Sequence, residues 1–115
     1  MGQIVPFESD ALPWLDVPRD WPGKVGPGEP DVRYKALTES SGAIPGIQLV
    51  EFEPGHTEQA HSHPEGEVLY LLRGEMAIGA LCLRAGAGVV IERDTLYGPL
   101  RTGPEGARFL RVGLG

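Results

Sequence analysis

The chain has 115 residues, 41% of them hydrophobic, and a formal net charge of -6 from 10 basic and 16 acidic side chains. This length suits one domain that buries one core, and it argues against a multidomain protein. The acidic balance, with no cluster of Lys or Arg and no apolar run of about 18 residues, argues against nucleic acid, a membrane partner or span, and a signal peptide.

A single cysteine, Cys82, limits the covalent chemistry of the chain. No intrachain disulfide can form, and no cysteine-rich zinc site is available. The composition therefore predicts a cytoplasmic protein. We interpret Cys82 as a small buried side chain within a strand, while a reactive thiol stays open as the alternative.

Residues 1–32 predict an irregular N-terminal arm, because this stretch is rich in proline and shows no hydrophobic period. Trp14 and Trp21 are the only tryptophans. They are the predicted anchors of the arm, since large aromatic side chains contribute most per residue when they are buried. The arm is expected to lie on the body of the domain or on a partner subunit.

Residues 33–115 predict a β-barrel or sandwich. The 17 glycines and 11 prolines of the chain leave few segments that could hold a helix of about ten residues, which favours an all-β protein. The continuous apolar run VLYLL predicts a strand covered on both faces, and the sequences RGE and RTGPEG predict turns. The predicted strands, in chain order, are VRYKALTE, GIQLVEFE, EVLYLLRG, EMAIGALCLRAG, GVVIER and ARFLRVG.

All three histidines fall within residues 56–63, in the stretch GHTEQAHSHPEGEVLYLLRG. His61 and His63 point to the same face if the segment is a strand, with backbones about 6 to 7 Å apart, so one cation can lie between their imidazoles. A turn at residues 64–66 would let Glu67 add a carboxylate. Two histidines and one carboxylate with open positions form the arrangement associated with non-haem iron.

The spacing of this stretch resembles the first motif of the cupins: glycine, five residues, HxH, three or four residues, glutamate, six residues, glycine. Gly55, His61, His63, Glu67 and Gly74 fill every fixed position. The resemblance implies an all-β, single-domain cupin jelly-roll barrel of the RmlC-like type (a double-stranded β-helix) after the arm. It also implies one first-row transition metal held by His61, His63 and Glu67, with iron favoured and Mn, Zn, Ni or Cu open, and commonly a homodimer.

The second cupin motif falls on Gly86, Glu92, Asp94, Tyr97 and Arg101, where only the glycine matches. Tyr97 therefore takes the position at which the family usually places a fourth ligand, a histidine. Three interpretations stay open: a phenolate ligand, a hydrogen-bond donor to bound water or substrate, and a packed side chain. Loss of the histidine favours a weaker, open site, which suits catalysis or sensing.

Other polar residues near the motif are candidates for a substrate pocket. The period-two alternation of a strand puts Gln59 on the face of His61 and His63, and it puts His56 at the rim. An arginine near the C-terminus could clamp an anionic substrate by paired hydrogen bonds. The candidates for that role are Arg101, which we include in the predicted pocket, Arg108 and Arg111.

These features predict a small metal-binding enzyme that acts on a small organic molecule by oxygenase, isomerase or lyase chemistry, with Tyr97 as acid or base. Two alternatives stay open: a non-enzymatic module that binds or senses a small molecule or a metal, and a structural cupin without metal. The complete triad disfavours the structural alternative, because unpaired buried polar groups cost stability. The expected partner is a small-molecule ligand.

Overall fold

The structure, a computed structural model, describes residues 2–16 and 32–114, and Trp21 lies outside them. The described residues are all β apart from one 3-10 turn at Ser9–Ala11, which confirms the predicted fold class. They include no helix long and apolar enough to cross a bilayer. The strands are β1 (Leu15–Asp16), β2 (Val32–Thr38), β3 (Ile47–Phe52), β4 (Thr57–Glu58), β5 (Glu67–Ile78), β6 (Leu81–Arg84), β7 (Gly88–Ile91) and β8 (Leu100–Gly113).

One antiparallel sheet contains all of these strands, in the order β1, β2, β3, β8, β5, β6, with β4 on β8 and β7 on β5. The longest strands, β5 and β8, pair with each other along their length. Because β3 and β4 also pair with β8, and β6 and β7 with β5, the sheet rolls up around one interior. The side chains that fill this jelly-roll barrel include Val50, Leu71, Met76, Ala107 and Phe109, which are all buried.

Two predicted turns lie inside long strands, so these two predictions are wrong. RGE, residues 73–75, belongs to β5, and RTGPEG, residues 101–106, belongs to β8. The strands bend without ending, because their pairing shifts register on both sides of residues 73–74. Gly74 has a φ of +80°, and a Cβ there would lie 2.0 Å from the carbonyl oxygen of Gly106. Glycine thus permits a β-bulge where the two backbones nearly touch.

Gly74→Ala is expected to lower the free energy of unfolding by more than about 2 kcal/mol, because the added methyl group meets backbone and the residue keeps a positive φ. Gly86→Ala is the matched control, since Gly86 also has a positive φ, of +93°, but has open space at its Cβ position. Urea denaturation of both variants measures the difference. Equal losses would show that the backbone angle, and not the close approach to Gly106, sets the cost.

Strand β5 is covered on one face only, which corrects the prediction that VLYLL is covered on both faces. In β5, Leu69 and Leu71 are buried, whereas Tyr70 and Leu72 are each 44% exposed. This is the alternation of a sheet with a single covered face. Cys82 follows the same rule: Leu83 turns inward in β6 and Cys82 is exposed, so the interpretation of Cys82 as buried is wrong.

The described part of the arm lies on the face of the sheet opposite the core. β1 pairs with β2, and the Trp14 ring packs beneath the Lys35 ammonium, whose nitrogen lies 4.9 Å from the ring centroid. Lys35 Nζ also donates a hydrogen bond to the Ser9 carbonyl at 2.7 Å. These cation–π and hydrogen-bond contacts anchor residues 9–16 on the chain's own sheet, the role predicted for Trp14.

Candidate functional site

Glu67 is the first residue of β5 and is only 1% exposed. The alternation of the strand places it on the same face as Leu69 and Leu71, inside the barrel. An ionised carboxylate in such a place is costly unless it is paired or bound. The partners of Glu67 therefore decide what this end of the barrel can do.

The segment that carries the two motif histidines runs antiparallel to the segment that carries Tyr97. His61 and Tyr97 exchange backbone N–H to carbonyl hydrogen bonds, both at 3.0 Å, and the Asp94 N–H donates to the His63 carbonyl at 2.8 Å. The ring centroids of His61 and His63 are 5.0 Å apart, and those of His61 and Tyr97 are 4.8 Å apart. The phenol thus lies beside the imidazole pair, where the aligned second motif places it.

One small cavity inside the barrel, of about 20 Å³, contacts all four residues of the predicted centre. A volume of this size accommodates an ion or a water molecule, and it is too small for an organic molecule. The lining side chains are His61, His63, Glu67 and Tyr97, then Glu58 and Arg111, then Val50, Phe52, Leu69, Leu100 and Phe109.

Two imidazoles border the cavity, and each has its own surroundings. His61 Nδ1 lies 2.8 Å from the carbonyl oxygen of Gln59. Because a carbonyl only accepts, Nδ1 carries a proton and donates it, and this contact fixes the orientation of the ring. Burial lowers the pKa of His63 below its usual 6.5, and the charge of Arg111 adds to this, although the Glu67 carboxylate opposes it. His63 is therefore neutral at pH 7, in the form that binds metals.

The ring C–H resonances of His63 in metal-free protein are expected to titrate with a midpoint below 6.5. The folded chain then binds fewer protons than the unfolded chain near this pH. Stability due to His63 is therefore fully present above pH 6.5 and is lost as the pH falls towards the folded pKa. NMR spectra over a pH series, with His63→Gln for assignment, measure the midpoint, and a value at or above 6.5 would contradict the prediction.

Neighbouring side chains engage both oxygens of Glu67. The Tyr97 hydroxyl donates to Oε1 at 2.6 Å, and Arg111 Nε donates to Oε2. Arg111 reaches this place because Gly113 pairs with Glu67, which sets Arg111 on the diagonal of the same face. Its second guanidinium nitrogen, Nη2, also donates to Glu65 at 3.3 Å. Glu67 thus has both a cationic partner and a neutral donor.

The hydroxyl of Tyr97 keeps its proton in this arrangement. Burial raises the pKa of Tyr97 well above its ordinary value, and the hydrogen bond to Glu67 and the charge of that carboxylate raise it further. A phenol in this state acts as a hydrogen-bond donor. In the structure the acceptor is Glu67, and the three interpretations of Tyr97 stay predictions.

The donor chemistry of the cavity fits a metal ion, but the structure does not gather the donors around one point. Among residues 2–16 and 32–114, no three His, Cys, Asp or Glu side chains are arranged so that they could hold one ion together. His61 and His63 offer two imidazoles, while Glu67 is turned to Arg111 and Tyr97. A three-ligand centre would require one oxygen of Glu67 to turn from its present partner, Tyr97 or Arg111, to the metal.

Two residues of this region, Glu58 and His56, are buried, which the sequence did not predict. Glu58 lines the cavity and is 2% exposed, and its Oε2 lies 3.1 Å from Nε2 of His56, which is 4% exposed. The strand is interrupted between β4 and the bridge at His61, so the alternation changes phase at residues 59–60. This corrects two assignments: Gln59 has an exposed side chain and contributes only its carbonyl, and His56 is buried rather than at the rim.

The three C-terminal arginines lie in three different surroundings. Arg101 is exposed and lines a separate hollow beside Cys82, so the structure does not bring this predicted pocket residue to the cavity. Arg108 donates to Glu51 on the outer face of the sheet. Arg111 shares the inward face of β8 with Phe109 and lines the cavity. The register shift within β8 separates two stretches of alternation. Arg101 follows the core residue Leu100 and Arg108 precedes the core residue Phe109, so both point outward, whereas Arg111 lies two residues after Phe109 and points inward.

Comparison with known proteins gives structural matches. No protein-family model and no curated protein sequence matches the chain. The polyketide cyclase RemF from Streptomyces resistomycificus superposes with a TM-score of 0.74, at 21% identity over 96% of this chain and 79% of that chain. KdgF from Halomonas sp. gives 0.73, at 18% identity over 96% and 94%. An RmlC-like cupin from Shewanella frigidimarina gives 0.70, at 16% identity over 98% and 93%.

These superpositions extend over nearly the whole chain, and their TM-scores of 0.70 to 0.74 establish the fold. At identities of 16 to 21% the likeness is one of fold alone. The antiparallel strand order and the closed interior agree with them. Residues 55–74, which carry the first cupin motif, form the part of the barrel that holds His61, His63 and Glu67 against the cavity. The chain has the fold of the small RmlC-like cupins, a single jelly-roll β-barrel.

Proposed function

We propose that the chain is a small metal-binding cupin that acts on a small organic molecule by oxygenase, isomerase or lyase chemistry. His61, His63 and Glu67 would hold one first-row transition metal, with iron favoured and Mn, Zn, Ni or Cu as alternatives. The observation that carries the proposal is that two imidazoles, a buried carboxylate and Tyr97 line a single cavity the size of an ion. Small-molecule chemistry on this barrel is also supported by the similar structures, which include a polyketide cyclase.

A bound metal would supply Lewis-acid polarisation of an oxygen atom, or oxygen activation if the metal is iron. The chain's own residues would provide the rest. Tyr97 holds a proton at its hydroxyl beside the imidazole pair, and Glu67 accepts the hydrogen bond from it. Opening this bond would let Tyr97 donate to an oxygen of the ligand. The apolar walls from β3, β5 and β8 exclude water, which strengthens such interactions. The fold does not choose among the reactions, because one architecture hosts many activities.

The hydrogen bonds and the ion pair that Glu67 makes with Tyr97 and Arg111 favour a second candidate. In this candidate the barrel binds or senses a small molecule without metal chemistry, or it is purely structural. The guanidinium of Arg111 already balances the carboxylate, and the residues that the structure describes contain no three-donor group. In this case the polar cluster would serve to fix the geometry of the barrel end. Metal content separates the two candidates.

Elemental analysis of untagged protein, purified without chelators or metal columns, tests the proposal. We expect about one metal ion per chain in the wild type and about tenfold less in His61→Ala, which loses one of three ligands. Gln59→Ala is the matched control, since it keeps the carbonyl that orients His61. A wild type that holds no metal, and takes up none from Fe²⁺, Mn²⁺ or Zn²⁺, would leave the metal-free candidate. Stoichiometric iron would favour an oxygenase.

A homodimer and a cytoplasmic location stay predictions for this chain. The arm, residues 1–32, was the predicted source of the pairing contact. Sedimentation of the full chain and of the chain lacking residues 1–30 tests this role. An unchanged mass after removal of the arm would show that the arm does not hold two copies together.

A further inference from the structure

A groove on the barrel wall borders the same tyrosine as the small cavity. It has a volume of about 400 Å³ and lies between β5, β6, β7 and the segment that follows β7. Its apolar lining residues are Ile78, Leu81, Val89, Val90 and Ile91, and Tyr97 lines it as well. Because Tyr97 also lines the cavity, one residue adjoins both spaces.

The sizes of the two spaces assign them different occupants. The cavity of about 20 Å³ holds an ion or a water molecule. Sites for small organic molecules have volumes of about 300 to 1,000 Å³, and the groove of about 400 Å³ falls in that range. Three other hollows on the described surface share no lining residue with the cavity. The groove therefore combines a suitable volume with contact to a residue of the candidate centre.

The chemistry of the lining selects the class of ligand. Leu81 and Val90 present apolar surface to solvent, at 57% and 70% exposure. The free energy of the protein and ligand falls when a hydrocarbon covers such surface. No Lys or Arg belongs to the described lining, whereas Glu92 does. A carboxylate beside an apolar wall disfavours anionic ligands.

We infer that this groove binds the substrate, and that the substrate is a neutral, largely hydrocarbon molecule with one oxygen function, such as an aromatic alcohol or ketone. The inference rests on the proposed function, which it deepens by naming the ligand class. The hydrocarbon part lies along β6 and β7, and the oxygen is directed towards Tyr97. A second copy of the chain is the competing occupant of an apolar groove, and the mass in solution distinguishes it.

Methyl NMR of metal-free protein labelled at Ile, Leu and Val, titrated with 1-naphthol, tests the inference. We expect saturable shifts at the methyl groups of the groove and binding about tenfold weaker for 1-naphthoate, whose charge is repelled. Val90→Glu should weaken the binding of 1-naphthol about tenfold, because the probe would then desolvate a carboxylate. Ile4→Glu, a matched change at a residue 97% exposed in the arm, should leave it unchanged.

Shifts confined to other methyl groups, or equal binding of 1-naphthoate, would overturn the inference. It also fails if Val90→Glu halves the sedimentation mass, because the groove is then a contact between two copies. Metal analysis of the same preparations keeps the two proposals apart. Metal without groove shifts refutes the substrate site alone, and groove shifts in a protein that takes up no metal refute the metal centre alone.

Discussion

Glu58→Leu is expected to lower the free energy of unfolding by about 2 to 4 kcal/mol. The Glu58 carboxylate and the His56 imidazole are shielded from water and lie 3.1 Å apart, and the imidazole also packs on Phe52 at 4.4 Å between centroids. Without the Glu58 carboxylate, the imidazole of His56 loses this contact, and its buried surroundings offer little water to replace it. Glu58→Gln keeps an oxygen acceptor of similar volume, so its loss should be smaller, about 1 kcal/mol.

Urea denaturation of the two variants measures these losses. Glu53→Leu is the matched control, because the Glu53 side chain is 51% exposed and pairs with an exposed Arg33. An exposed pair of this kind contributes about 1 kcal/mol or less. A double-mutant cycle with His56→Phe isolates the coupling of the pair. If Glu58→Leu has the same free energy of unfolding as the wild type, the attraction within the buried pair only offsets the cost of its desolvation.

The barrel and the members of the candidate centre could be predicted from the sequence because short-range rules set them. His61 and His63 are two residues apart, so they share a face of a short extended segment. Glu67 opens a strand whose inward residues, Leu69 and Leu71, are visible as alternate apolar positions. The second-motif alignment put Tyr97 beside the histidines although only one of its fixed residues matches. The pattern of a strand, a turn and a returning strand in this part of the sequence was enough to place Tyr97 beside the histidines.

The features that the sequence did not predict depend on contacts between strands. The spacing of residues along the chain does not show such contacts. Glu58 was missed because the alternation was carried through residues 59–60, where neither glycine nor proline marks the interruption. The bulge at Gly74 was taken for a turn, since the approach of Gly106 comes from another strand. Arg111 had a usable signal, its place two residues after Phe109 on the inward face of β8. Its pairing with Glu67 depends on the register of β5 against β8.

Arg111→Met is expected to destabilise the metal-free protein by about 3 to 5 kcal/mol, the usual loss when one partner of a buried ion pair is removed. Glu67 is 1% exposed and has Arg111 as its ion-pair partner. The same change should tighten zinc binding at the proposed centre by about tenfold or more. The guanidinium no longer competes for the carboxylate, and a positive charge no longer repels the ion across a site of low dielectric constant.

Thermal unfolding with and without Zn²⁺, and calorimetric titration, measure the two effects on the same samples. Added metal should raise the midpoint of Arg111→Met more than that of the wild type, because a ligand stabilises the folded state according to its affinity. Arg108→Met is the matched control, since Arg108 pairs with Glu51 and does not line the cavity. Zinc binding that weakens in Arg111→Met, with Arg108→Met unchanged, would mean that the guanidinium orients Glu67 for the metal. Arg111 would then act as a positioning residue of the centre, and not as a competitor for its carboxylate.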